Sequence, residues 1–335
     1  MTVSESNEAR GRGDEPKRPV GHEVDFPPVE NGVDYLQSVV EHLTAEQQPG
    51  PRHLKYAVLH LQAAAEVLLK ARLQREHWSL VFADPGLATR RTFEAGAFNS
   101  CGIKETIARL KDIARVNIDD KAVAHLADLT KDRNALQHYG LTHNARAVES
   151  RAAKVLDFLV TFVHTELLPA LTPIEAQKVA GTLETVGEDV RMIQSFIKTR
   201  LNRLRGDLKD IQGATVECPS CDRWALVVGG QEGEPTCHFC HVDWGPRGAN
   251  GAADLYVWQR SEDFGSVARC PSCGVTALIV GEVSVAAAPM TTCSLCFACG
   301  TRHDDLPACN ACEKTYVPDK HTIGLCGWCE HAATQ

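Results

Sequence analysis

The chain has 335 residues, 44% of them hydrophobic and 23% charged, which is ordinary for a soluble globular protein and leaves room for two or three domains. The longest weakly charged apolar stretch, 277–290, is short and contains Glu282, so no membrane span is expected. The first 30 residues hold no apolar core of a secretory leader, and 6% aromatic residues argue against a large aromatic-lined ligand pocket.

The net charge of −8 is uneven: residues 1–50 carry −6, residues 51–213 carry +5 and residues 214–335 carry −7. A polyanionic partner is therefore expected at the middle segment. Residues 1–50 read as a disordered acidic tail, rich in Glu, Pro and Gly, with one short helix possible at 33–43.

Residues 51–170 read as a helical bundle. In 52–78, Leu54, Val58, Leu61, Ala65 and Leu68 make one apolar helix face, and Glu66 can pair with Lys70 at i+4. A second helix is expected at 104–116. A third starts near Asp119 and Asp120, which suit the positive end of a helix, and stops at Gly140. A fourth runs over 145–168 and ends at Pro169. Short connections make this an antiparallel bundle.

Thr172-Pro173-Ile174-Glu175 is an N-cap, a proline at N1 and a capping-box Glu. Apolar residues then recur every three or four positions from Val179 to Ile211. Residues 171–213 thus read either as a coiled-coil linker or as a long helix packed on the bundle. The basic run from Lys198 to Arg205 reads chiefly as a solvated face.

Of 14 cysteines, 13 lie after residue 217, and twelve of these group into C-x-x-C pairs. Such pairs place two thiolates on one small cation, unlike the wide spacing of secreted disulfide scaffolds. Three zinc ribbons are expected, with about three structural zinc ions. The first, 214–250, uses Cys218, Cys221, Cys237 and Cys240. The second, 251–303, uses Cys270 and Cys273 with two of Cys293, Cys296 and Cys299; the glycine after Cys299 favours the pair Cys296/Cys299. The third, 304–335, uses Cys309, Cys312, Cys326 and Cys329. His238, His241, His303, His321 and His331 leave mixed ligation open. Full four-cysteine sets leave no open position for zinc catalysis, and the acidity of this region favours protein contacts over general nucleic-acid binding. Cys101, alone in the helical region, reads as a small core residue.

The third helix carries a stripe at Ala122, Leu126, Leu129, position 133 and Leu136. Arg133 stands where the pattern calls for Leu, with Asn134 and His138 four residues apart on one face. An inward arginine must be paired or line a polar cleft. One reading is a structural arginine bonded to Glu66; the other is a site.

Arg133-Asn-Ala-Leu-Gln-His138 resembles the R-N-x-x-x-H signature of HEPN domains, the higher-eukaryote and prokaryote nucleotide-binding family. The segment from Leu54 to Leu73 is similar to that family's first helix, and the likeness covers about 52–168. It implies a four- to five-helix bundle that dimerises so that two motifs line a shared cleft. It also implies a cytoplasmic, metal-independent endoribonuclease of the toxin or antiviral-defence kind, with RNA as substrate. Inactive members serve as binding modules, so a dimeric adaptor with a protein partner on the ribbons is the alternative. In the ribonuclease reading His138 is the general acid and base, Arg133 clamps phosphate, Asn134 orients the imidazole and Glu66 braces the set. The whole chain is then an all-α HEPN-like bundle, a long helix and three small β zinc ribbons.

Overall fold

The computed structural model describes residues 25–230, 233–260, 267–318 and 324–333. A helical half comes first. Its leading helix, α1 (Pro28–Thr44), corrects the expectation of a tail over 1–50; residues 1–24 of that segment lie outside the described residues. Pro28 sits at N1, and Val29, Val33, Leu36, Val40 and Leu43 turn one buried face to the core. Of the acidic residues in α1, Asp34 and Glu41 are exposed, away from this face. At Gly32 the two leading helices come close, since a β-carbon there would sit 2.5 Å from the Leu68 side chain.

Helix α2 (Pro51–Glu76) is the central rod, with Leu54, Val58, Leu61, Ala65 and Leu68 all buried. An excursion follows, including α3 (Arg90–Glu94), in which Arg109 ties the chain down by donating to the carbonyls of Leu80, Phe82 and Ala83. Then come α4 (Ile103–Asp112), α5 (Asp120–His138) and α6 (Ala145–Phe162). Asp119 caps α5 by accepting from the Ala122 amide at 2.6 Å. Helix α6 runs on through a π-turn, Val163–Leu167, and stops at a 3₁₀ turn holding Pro169.

The capping box at Thr172/Glu175 is formed, opening α7 (Pro173–Asp189). Of the two readings of 171–213, packing on the bundle holds, as two helices and not one long one, and no continuous coiled-coil linker is formed. The chain breaks at Val190–Met192, Ile193 is extended, and α8 (Gln194–Asp207) starts anew. The apolar stripe is spent within the molecule: α7 packs on α1, α8 packs on α6, and Val179, Val186, Val190, Ile193, Ile197 and Leu204 are buried. One break in the middle lets a heptad-like stripe wrap a bundle instead of meeting a second chain.

The cysteine-rich half is built on an antiparallel sheet: β1 (Thr215–Glu217), β2 (Trp224–Val227), β3 (Thr236–Cys237), β4 (Val267–Arg269), β5 (Thr276–Val285) and β6 (Ala288–Cys296). The order is β3-β2-β1-β5-β4, with β6 on β5. Val216 of β1 pairs with Val285 of β5, so the expected division into independent ribbons at 250/251 is corrected: the first two units share one sheet. Helix α9 (Gly248–Arg260) connects them and lies on β5.

The third unit differs. It has an isolated bridge, Ala308 to Thr315, and ends in α10 (Gly327–Ala333), so a small β ribbon is replaced by a knuckle and a helix. Its core is its own, made of Cys309, Tyr316 and Cys329, whereas the bundle and the first two units share one continuous core. Among the described residues no helix is long and apolar enough to cross a membrane.

Candidate functional site

Three clusters of four cysteines are gathered, each with its sulfur atoms within 4.8 Å of one another: Cys218/Cys221/Cys237/Cys240, Cys270/Cys273/Cys296/Cys299 and Cys309/Cys312/Cys326/Cys329. All of these cysteines are free thiols. Sulfur separations are 3.9 Å for Cys218–Cys240, 3.7 Å for Cys221–Cys237, 3.8 Å for Cys270–Cys299, 3.8 Å for Cys273–Cys296 and 3.8 Å for Cys312–Cys326. A tetrahedron with metal–sulfur bonds of about 2.3 Å has edges of about 3.8 Å, so the donor sets fit a four-coordinate soft ion. They are compatible with three structural metal sites. The four thiols of the first cluster hydrogen-bond one another, which pushes Cys240 down and Cys221 and Cys237 up.

The second cluster takes the favoured pair Cys296/Cys299, and Cys293, the third candidate ligand there, is left out. Cys293 pairs with Val283 in the middle of β6, three residues before the knuckle, and its thiol donates to the Val283 carbonyl at 3.3 Å. His303 approaches Cys270 Sγ at 3.4 Å and takes the part of an outer partner to that site. His241 stacks on His164, with ring centroids 4.4 Å apart. His321 lies outside the described residues.

The polar set on α5 is arranged differently from the expected stripe. The buried face runs Ala122, Leu126, Leu129 and then Asp132, whose carboxylate meets Arg151 of α6 at 2.6 Å. Asp132 takes the inward position because Arg151 neutralises it there. Arg133, one residue on, is half-buried, and Asn134 and His138 are exposed. Arg133 Nη1 donates to Asn134 Oδ1 at 2.9 Å. His138 closes the helix, beside the exposed ring of Tyr139 at 6.0 Å between centroids.

Glu66 belongs to another network. It accepts from Gln62 at 3.2 Å and lies 4.0 Å from Lys70 Nζ; Thr130 of α5 donates to the same Gln62. The structure thus brings Arg133 and Asn134 together, puts His138 one turn on, and joins Glu66 to α5 through Gln62 and Thr130. The pairing of buried Asp132 with half-buried Arg151 was missed from sequence, because an aspartate next to an arginine reads as one solvated patch. The spacing of 3 from Leu129 to Asp132 was the available signal.

Comparison with family models, with curated proteins and with solved structures gives no match.

Proposed function

We propose that this protein is a metal-independent endoribonuclease of the HEPN kind, acting as a homodimer in the cytoplasm, with zinc in its three four-cysteine sites. The observation that carries the reading is the outward-facing set at the end of α5. Arg133 and Asn134 are already joined, His138 stands open to solvent one turn away, and Asp132 between them and the core is neutralised by Arg151. Arg133 and Asn134 hold each other, and none of the three side chains is buried.

Internal RNA cleavage needs a base for the 2′-hydroxyl, a cation for the phosphate and an acid for the 5′ oxygen. Imidazole titrates near neutral pH and serves as base or acid. The Arg133 fork binds phosphate oxygens and stabilises charge as it builds. Asn134, accepting from Arg133, fixes the fork's direction and keeps its amide N–H groups for substrate. A single exposed set offers one imidazole. Two-fold pairing supplies the second, so that one His takes the proton and the other gives it. Zinc supplies folding energy in this account and no chemistry at the phosphate. The cleaving activity suits a toxin or defence effector.

The test is cleavage of single-stranded RNA during a brief exposure to EDTA, with products ending in 2′,3′-cyclic phosphate and 5′-hydroxyl. An adaptor is the second reading. Trp258, Met290 and Trp328, all strongly exposed on the acidic metal-binding half, favour it as places for a protein partner. Binding of RNA or protein through Arg133 and His138 without any cleavage would select it.

A further inference from the structure

We propose that the end of the helical half where α2 begins and α5 closes holds a second phosphate-binding point for single-stranded RNA, made by Arg52 and Lys55 seated on the ring of Tyr56. The choice of ligand rests on the ribonuclease reading of Arg133 and His138; Arg52 and Lys55 then hold a phosphate that flanks the scissile one.

The topology brings these residues to the level of the candidate site. Lys70 donates to Ser100 at 3.0 Å, and Arg109 of α4 binds the carbonyls of Leu80, Phe82 and Ala83, so α4 sits at the C-terminal end of α2. Lys111 of α4 lies 3.3 Å from Asp120, the first residue of α5. Farther along, Thr130 of α5 donates to Gln62 of α2 at 3.2 Å. Helix α5 therefore runs antiparallel to α2, and its last turns reach the level at which α2 starts. Asn134 follows Thr130 by four residues and Lys55 precedes Gln62 by seven, so each lies on the face through which its helix meets the other. At about 1.5 Å per residue, Lys55 stands about 10 Å along α2 from the contact of Gln62 with Thr130. Arg133 to His138 stand about 5–12 Å along α5 in the same direction.

The local geometry suits an anion. The Arg52 guanidinium lies 5.1 Å, and Lys55 Nζ 5.7 Å, from the centroid of the same Tyr56 ring. His42 stacks on that ring with centroids 5.5 Å apart, so α1 holds it in place. Two cations drawn to one ring repel each other, and among the described residues no carboxylate pairs with either. Of the acidic side chains ahead of α2, Glu41 accepts from Gln37 at 3.1 Å and Glu46 lies 3.8 Å from His53. A phosphate supplies the missing negative charge, taking the arginine fork and the lysine point charge together. Both cations are exposed, so a strand reaches them without rearrangement. Arg146, exposed near the start of α6 just past the turn after His138, adds to the same positive field.

The probe is a fluorescein-labelled single-stranded RNA of about twelve nucleotides, methylated at every 2′-hydroxyl so that it binds but cannot be cleaved. Full-length, zinc-loaded protein is titrated into it and anisotropy is read at several salt concentrations. Arg52→Gln and Lys55→Gln should each weaken binding about threefold to tenfold, and each should lower the slope of log affinity against log salt by about 0.7, the value of one phosphate contact to a single strand. Lys121→Gln, at the opposite end of α5, should change neither. Zinc content and far-ultraviolet circular dichroism of each variant separate loss of the contact from loss of the fold. Cleavage of unmodified RNA, measured alongside, keeps the two ideas apart. Weaker binding and a lower slope in both variants support the phosphate point even where wild type cleaves nothing, a result that sinks the ribonuclease reading alone. Unchanged affinity and slope in the folded variants overturn the phosphate point even where wild type cleaves. So does an equal loss in Lys121→Gln, or no binding by wild type at tens of micromolar protein.

Discussion

Arg200 of α8, fully buried, donates through Nη1 to the main-chain carbonyl of Phe239 at 2.7 Å, inside the second knuckle of the first metal site. Its Nη2 reaches Thr161 Oγ1 at 2.7 Å and His241 Nε2 at 3.2 Å. Its Nε lies 2.7 Å from Asp157 Oδ1, an ion-pair contact too bent to count as a hydrogen bond. Asp157 also accepts from Arg203 at 2.9 and 3.0 Å. Bundle and metal knuckle are therefore tied through one buried cation. Asp157→Asn leaves that cation without its counter-charge, and the expected loss is about 3–5 kcal/mol, read by denaturant unfolding of the whole chain. Arg203→Gln, removing a half-exposed partner, should cost far less.

Metal removal should accordingly act in two stages. The third site has its own small core, and two of its cysteines are only half-buried, whereas the four cysteines of the first site are all buried in the common core. Cys326→Ser should lower zinc content by one and leave bundle stability unchanged within about 0.5 kcal/mol. Cys218→Ser should destabilise the helices as well. Helical circular dichroism during thermal unfolding reads the difference. Equal melting of both variants would show that the bundle does not depend on its knuckle.

The two sheet-sharing units also meet glycine to glycine. Gly229 has φ +71°, and a β-carbon there would lie 2.5 Å from the backbone of Gly300. Gly281 has φ +72° with open space around it. Gly281→Ala should therefore cost only the backbone strain, about 1–3 kcal/mol. Gly229→Ala adds a clash with backbone and should cost clearly more, measured as the difference in unfolding free energy between the two variants.

Much of this was legible. Four bundle helices, the capping box at Thr172 and the cysteine pairs follow from local spacing, because caps and C-x-x-C turns act over a few residues. The rest depends on what each element meets. Nothing in 28–44 says that α1 will cover α2, and a heptad-like stripe does not declare whether its partner is another chain or α1 and α6. The sharing of a sheet rests on Val216 meeting Val285, a pairing 69 positions apart in the chain that no local pattern encodes. At the candidate site the residue types were legible. The orientation was not, since Asp132 and not Arg133 points inward once Arg151 is near.

Since the stripe of 179–208 is used inside the molecule, deleting 176–212 should unfold the helical half instead of merely weakening a dimer. Loss of the cooperative helical transition is the expected outcome. A folded monomer after this deletion would restore the linker reading.

The most direct test of the central claim is RNA cleavage by wild type, His138→Ala and Arg133→Ala, each carrying full zinc and run briefly in EDTA. Wild type is expected to release 2′,3′-cyclic phosphate and 5′-hydroxyl ends. His138→Ala should abolish cleavage, and Arg133→Ala should slow it by about 10²-fold or more, the scale of one lost transition-state charge contact. Both residues are exposed or half-buried, so both variants should keep wild-type stability. Cleavage at the wild-type rate by a protein lacking both Arg133 and His138, or no cleavage by folded, zinc-loaded wild type, would contradict the account.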